Sequence, residues 1–417
     1  MRTQDFLFLE NMTTIDNKFW SWVDAHLNDD PIRLRLKHST CNDGFDYDAA
    51  ITQIECRRKF GKKLAETLAS TPRFYFPNKL AGEQSTSDKL ADFHSTLIKG
   101  KTMIDLTAGL GIDVLHCSQD CDRASAVERS EELADALIYN SEQCGRSNIT
   151  VLCGDCREII QNDSLHYDTV FIDPARRSAD GGRVFSLNDC EPDVTAMLPR
   201  LRQICDRLVV KMSPMLDISH TINSLGGCKQ IISLGNATEC KELIAVKDFC
   251  ESDCADPIIE AVTIVGDSVI SFSYTNEEEA ETKQPVYSMC KAGDFFYEPY
   301  PSVMKTGASK LLANRFGLDA FHPNSRLYHS KNIVSDFPGN VFSVEKVIDF
   351  SSKFLKRFKN EYPVINVSAR NFGMTAEALR AKLGVKVGGN KRVIGITDRN
   401  NTRRLIIISP IIDGGNK

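Results

Sequence analysis

Between residues 101 and 210, short apolar runs alternate with amphipathic helical stretches, and this alternation constrains the fold more than any other feature. Strands are predicted over 102–106, 124–127, 149–152, 169–172 and 208–210, with helices starting after Gly111 and at Ser130. In the second helix Glu131 and Glu132 fill the first turn, Leu133, Leu137 and Ile138 form the apolar stripe, and Gly145 supplies the stop. Strands this apolar belong to sheets covered on both faces. The expected class is therefore α/β, with a mostly parallel, Rossmann-like sheet. A hairpin over 261–265 and 269–273, turning at Gly266-Asp267-Ser268, is expected to extend it.

The flanks read differently. Residues 1–95 are expected to be a helical region, with Asp30 as an N-cap before Pro31 and an apolar stripe at Ile51, Ile54, Phe60, Leu64 and Leu68. Five of the seven residues 57–63 are basic; they suit either a solvated helix face or a surface turned toward RNA. The core is expected over 96–275, and the acidic stretch 276–283 reads as a linker. Two small α+β domains follow, a connector over 284–340 and a β-α-β-α-hairpin unit over 341–417. Strands at 342–348, 364–367, 393–397 and 405–409 and a helix capped by Thr375 define the second.

Charge separates these parts. The 417-residue chain carries a net −5, yet residues 301–417 hold 20 Lys and Arg against 8 Asp and Glu, a net of +12. The first 300 residues are then at −17. Lys353, Lys356, Arg357, Lys359, Arg370, Lys386, Lys391, Arg392, Arg403 and Arg404 spread over the last domain, as phosphate contacts or as a basic solvated surface. No uncharged apolar run is long enough to span a bilayer, and the N-terminus shows no signal-peptide core. A cytoplasmic protein without membrane contact is expected, its fourteen cysteines kept as thiols.

The first predicted strand runs into Asp105-Leu106-Thr107-Ala108-Gly109-Leu110-Gly111. Small residues after a buried strand let the backbone approach a ligand at the helix start. A dinucleotide fingerprint would need a third glycine at 114, which is Val, and Asp113 would repel a pyrophosphate. Carboxylates then close three of the next strands: Glu128, Asp155 and Asp173. Asp173 opens the turn Asp173-Pro174-Ala175-Arg176-Arg177, where parallel strands present ligands.

These residues resemble class I S-adenosylmethionine-dependent methyltransferases. Asp105, Gly109 and Gly111 fit their motif D-x-x-x-G-x-G, and 173–177 resembles [DN]-P-P-[FYWR]. Ala175 and Arg176 depart from it where a second proline and an aromatic residue are usual. The resemblance implies that Thr86, Asp105, Thr107, Ala108, Gly109, Gly111, Glu128, Asp155 and Asp173 hold the cofactor. Glu128 would take the ribose hydroxyls and Asp155 the adenine amine. Asp173, the Pro174 carbonyl and Arg176 would serve catalysis, with Arg176, Arg177, Lys211, Arg370, Lys391 and Arg392 on the substrate. Arg176 and Arg177 suit stacking on a base or pairing with phosphate, the alternative being an exposed charged surface.

With Glu83-Gln84-Ser85-Thr86-Ser87, Lys211-Met212-Ser213-Pro214 and the pattern over 297–328, the whole chain is similar to a bacterial family. That family joins a methyltransferase core, like that of trimethylguanosine-synthase-like enzymes, to a ferredoxin-like connector and a THUMP-like domain. The resemblance implies RNA, tRNA or rRNA, as partner and a base nitrogen as acceptor. A methyltransferase for a protein or small molecule, and a non-catalytic RNA-binding protein using the cofactor pocket, are the alternatives. No structural metal is expected: Cys153 and Cys156 form a lone C-x-x-C, without the second pair a zinc site requires. Cys190, Cys205, His322 and His329 carry no supporting motif.

Overall fold

The computed structural model describes residues 15–41, 43–162, 164–176, 187–250 and 256–411. The chain divides into two compact units, residues 1–229 with 244–255, and 230–243 with 256–417.

The first unit begins with helices started by aspartates. Asp16 caps Asn17–His26, Asp30 caps Pro31–His38 and Asp46 caps Tyr47–Phe60 through side-chain bonds to backbone N–H groups. Phe19, Trp20, Val23, Ile51 and Ile54 are buried together between them. In the basic run at 57–63, Arg58, Lys59 and Lys62 are exposed, and several of its side chains are held by nearby groups. Arg57 donates to the Pro72 and Phe74 carbonyls and lies over the Trp20 ring. Arg58 reaches the Leu27 carbonyl, Lys63 those of Gly82 and Glu83, and Lys59 pairs with Glu83.

Five parallel strands follow: β1 (Thr102–Asp105), β2 (Arg123–Glu128), β3 (Ile149–Cys153), β4 (Tyr167–Ile172) and β5 (Cys205–Met212). Their order is β5-β4-β1-β2-β3, with Asp105 opposite both Ala126 and Phe171. The sheet grows outward from β1 in both directions, so its switch point lies between β1 and β4. The carboxyl ends there are where an open parallel sheet leaves a crevice. Helix Glu131–Gln143 begins where expected, with Ser130 as its N-cap, and Gly145 follows it with φ of +67°.

In the second unit Ile258–Val265 and Ser268–Tyr274 form the expected hairpin, turning at Gly266, and Gln230–Asn236 runs parallel to its first strand. The acidic stretch read as a linker is instead a helix, Asn276–Glu281, opened by a capping box between Thr275 and Glu278. Glu279 accepts from the Lys310 and Leu311 N–H groups at the start of helix Ser309–Arg315, and Arg315 returns to the Ser273 carbonyl and Glu278. Those bonds make the segment part of the packing.

The rest of the unit is built on one seven-stranded sheet. Phe295–Pro299 pairs with Gly339–Asp349, which pairs with Arg403–Pro410, and Arg392–Thr397 lies between that strand and Asn366–Arg370. Thr375 caps Ala376–Leu383 as predicted, and Phe358, Ile365, Phe372, Leu379 and Ile407 share one core cluster.

Candidate active site

At the carboxyl ends of β1, β2, β3 and β4, the first unit holds a cavity of about 750 Å³ lined by Thr107, Gly109, Glu128, Asp155, Asp173 and Lys211 among others. That volume suits a ligand of cofactor size.

The loop after β1 is held by backbone donors on carboxylates. Asp105 is buried and accepts the Thr107 N–H at 2.9 Å; the Thr107 hydroxyl accepts the Asp173 N–H at 2.7 Å. Ala108 donates its N–H to the Val127 carbonyl, tying the loop to β2. Gly109 donates its N–H to Glu128 Oε2 at 2.8 Å, while Glu128 Oε1 takes the Ser130 N–H. Gly111 has φ of +90°, and a Cβ there would lie 2.1 Å from Leu137 Cδ1. Glycine is required by conformation and by space. A Cβ at Gly109 would meet nothing within 4 Å, so its backbone faces open cavity.

Thr86 and Asp173 come together around Lys211 with a residue that sequence reasoning assigned no role, Asp113. Thr86 donates its hydroxyl to Asp113 Oδ2 at 2.6 Å, and Asp113 Oδ1 lies 2.8 Å from His94 Nδ1. Lys211 Nζ reaches Asp113 Oδ2 at 3.1 Å, Thr86 Oγ1 at 2.8 Å and Asp173 Oδ2 at 2.8 Å. His94 is fully buried and carried no sequence signal; Asp113 was visible only as a charge unsuited to pyrophosphate. Burial pushes the Asp105 carboxyl up to about 8, with the Thr107 N–H opposing. Burial acts on Asp113 in the same sense, but Lys211 and His94 overcome it and hold that carboxyl far below the usual range.

Asp155 lines the cavity, but Arg157 grips both its oxygens and also pairs with Glu191 at 2.8 Å. Pro174 is buried, and Arg176 contributes backbone to a two-residue strand beside Cys190. Arg177 lies outside the described residues. The second unit contains the other basic candidates: Arg392 pairs with Glu298 at 2.8 Å, Arg370 approaches the same carboxylate at 3.8 Å, and Lys391 pairs with Glu345 at 2.7 Å. Among the described residues no three His, Cys, Asp or Glu side chains gather as metal ligands, and Cys190 and Cys205 are buried.

Residues 295–338 match the model of a ferredoxin-like domain, and residues 339–410 that of a THUMP domain-like family. The chain thus ends in a ferredoxin-like and a THUMP-like domain. A crystal structure from Porphyromonas gingivalis W83, described as a candidate methyltransferase, is 29% identical over 96% of this chain and 99% of its own, with a TM-score of 0.86. The α/β fold with its small C-terminal domains is therefore shared along nearly the whole chain. Two smaller likenesses have TM-scores too low to support an argument. A candidate RNA methyltransferase of Pyrococcus horikoshii is 20% identical over 34% of this chain and 62% of its own, with a TM-score of 0.23. An rRNA methylase of Streptococcus thermophilus is 12% identical over 38% and 93%, with a TM-score of 0.29. No curated protein matches the sequence. No helix among the described residues is long and apolar enough to cross a membrane.

Proposed function

We propose that this chain is an S-adenosylmethionine-dependent methyltransferase that modifies a base nitrogen in tRNA or rRNA. The observation carrying the reading is one cavity at the switch point lined by both the Gly109 loop and, from the turn after β4, Asp173 and Ala175. The full-length likeness to the P. gingivalis protein supports methyl transfer. The THUMP-like domain and the +12 charge of residues 301–417 support RNA.

The residues present fit this cofactor. Gly109 leaves the backbone open to the cavity, and carboxylates dominate its charged lining, as suits a sulfonium ligand with an ammonium group. The loop from Thr107 through Gly111 would hold the aminocarboxypropyl end, with Asp105 behind it fixing the loop through the Thr107 N–H, Glu128 the ribose hydroxyls and Asp155 the adenine amine. When bound, the cofactor supplies an electrophilic methyl carbon. The protein's part is positioning: the Asp173 carboxylate and the Pro174 carbonyl accept from the acceptor amine and aim its lone pair, while Arg176 or Arg177 steadies the base or a phosphate. Such alignment reaches roughly 7–11 kcal/mol in favourable intramolecular cases.

The test is nucleoside mass spectrometry of tRNA and rRNA from a deletion strain, complemented by wild type or by Asp173→Ala. Wild type is expected to restore one methylated nucleoside that Asp173→Ala does not. Calorimetry should find S-adenosylmethionine affinity largely kept in that variant. If deletion removes no modified nucleoside, the RNA reading is lost, and a protein or small-molecule acceptor takes its place.

A further inference from the structure

We infer that Lys211 is a positioning residue for Asp173 and not a substrate contact, through an ion-paired row Asp113–Lys211–Asp173 that ties the cofactor loop to the acceptor turn. The inference rests on the methyl-transfer reading above.

An ammonium group has three protons, and Lys211 Nζ has three acceptors in reach: Thr86 Oγ1, Asp113 Oδ2 and Asp173 Oδ2. Lys211 is 7% exposed, so a phosphate or base could engage its charge only by breaking one of these bonds. Its neighbours come from separate parts of the fold. Thr86 precedes helix Asp88–Ser95, which supplies His94; Asp113 opens helix Ile112–Cys117, where Cys117 is buried; Asp105 ends β1 and Asp173 follows β4.

The two ends of the row differ in solvent exposure. The Asp113 side chain is 12% exposed and that of Asp173 is 41% exposed, in the wall of the cavity. A buried lysine needing only a counter-ion has one in Asp113. The third bond instead fixes an oxygen of a carboxylate that reaches the reacting space. Lys211 thereby favours the ionised, hydrogen-bond-accepting form of Asp173 and restricts its rotation. The two carboxylates also compete for one cation. Removing Lys211 and removing the charge of Asp113 must therefore push Asp173 in opposite directions.

The experiment measures methyl transfer from labelled S-adenosylmethionine to tRNA and rRNA of the deletion strain from about pH 3 to pH 9, a range that brackets the ordinary carboxylate value. Lys211→Met, Lys211→Arg and Asp113→Asn are compared with wild type. Lys211→Met is expected to lower kcat about 100-fold with a much smaller change in KM. Its acid limb should move up by about one pH unit, since an opposite charge within hydrogen-bond distance commonly shifts a carboxyl by that much or more. Lys211→Arg keeps the charge and should recover part of the rate. Asp113→Asn should move the acid limb down.

Wild-type activity with superposed profiles in Lys211→Met and Asp113→Asn would overturn the inference and leave the function standing. Shifts in the same direction would overturn it too. A wild type inert on both RNA pools removes the reading and the inference with it. Thermal melts accompany each variant; if Lys211→Met does not fold, the direction in Asp113→Asn and the recovery in Lys211→Arg decide.

Discussion

Asp105 and Asp113 stand eight positions apart at the two ends of the loop after β1, Asp105 buried and the Asp113 side chain 12% exposed, and their environments drive them in opposite directions. Asp105 has a backbone N–H for company and is pushed up to about 8; Asp113 has Lys211, His94 and Thr86 and is held ionised. A carboxyl raised on folding contributes stability that is complete below the unfolded value near 3.8 and is lost as pH climbs through about 8. Asp105→Asn keeps the shape without the ionisation, so its stability relative to wild type should rise from pH 5 to pH 9. Urea unfolding at the two pH values checks this, and a constant difference would contradict the burial argument. Asp113 has the opposite sign, its contribution being lost in acid. Asp105, Glu128 and Asp173 were legible in the sequence because each ends an apolar strand of one alternating pattern. Asp113, His94 and the role of Lys211 were not. Residues 94, 113 and 211 meet only after β1 and β5 have been placed in the sheet, and no local pattern records that.

At the scale of elements, apolar runs bounded by turn residues located the five parallel strands and the C-terminal strands to within a few residues. The acidic stretch 276–281 escaped this reading for a physical reason. Six residues with four glutamates have little tendency to form a helix alone, and the helix exists through its capping box and the bonds Glu279 makes to helix Ser309–Arg315. The loop after β1 shows the converse, where one residue type is dictated locally. Gly111→Ala would strain a backbone at φ of +90° and drive a Cβ into Leu137. Chemical denaturation should show a loss of about 1–3 kcal/mol. Calorimetry should show weakened S-adenosylmethionine binding, because the Gly109 N–H sits two residues away in the same turn. Gly109→Ala, with open space at its Cβ, should cost less stability.

For the whole molecule, net charge is a poor guide and compactness a better one. The +12 C-terminal third uses part of its charge internally, since Glu298 takes Arg392 and Arg370, and Glu345 takes Lys391. The composition shift near 276–283 suggests a place to cut the chain, yet the hairpin before it and the helices after it belong to one compact unit. Tyr274 donates its hydroxyl to the Thr306 carbonyl at 2.7 Å, Thr263 bonds Ser302, and Arg315 lies over the Phe272 ring. A fragment ending at residue 283 keeps the hairpin and strips away these partners, exposing Phe272 and Tyr274, both now buried. Exposed aromatic surface beside unpaired polar groups favours self-association. Size-exclusion chromatography should show the fragment associating, and limited proteolysis should cut it within 256–283, a region protected in the full chain. A monodisperse fragment with that segment intact would mean that the hairpin takes its stability from the strands preceding it.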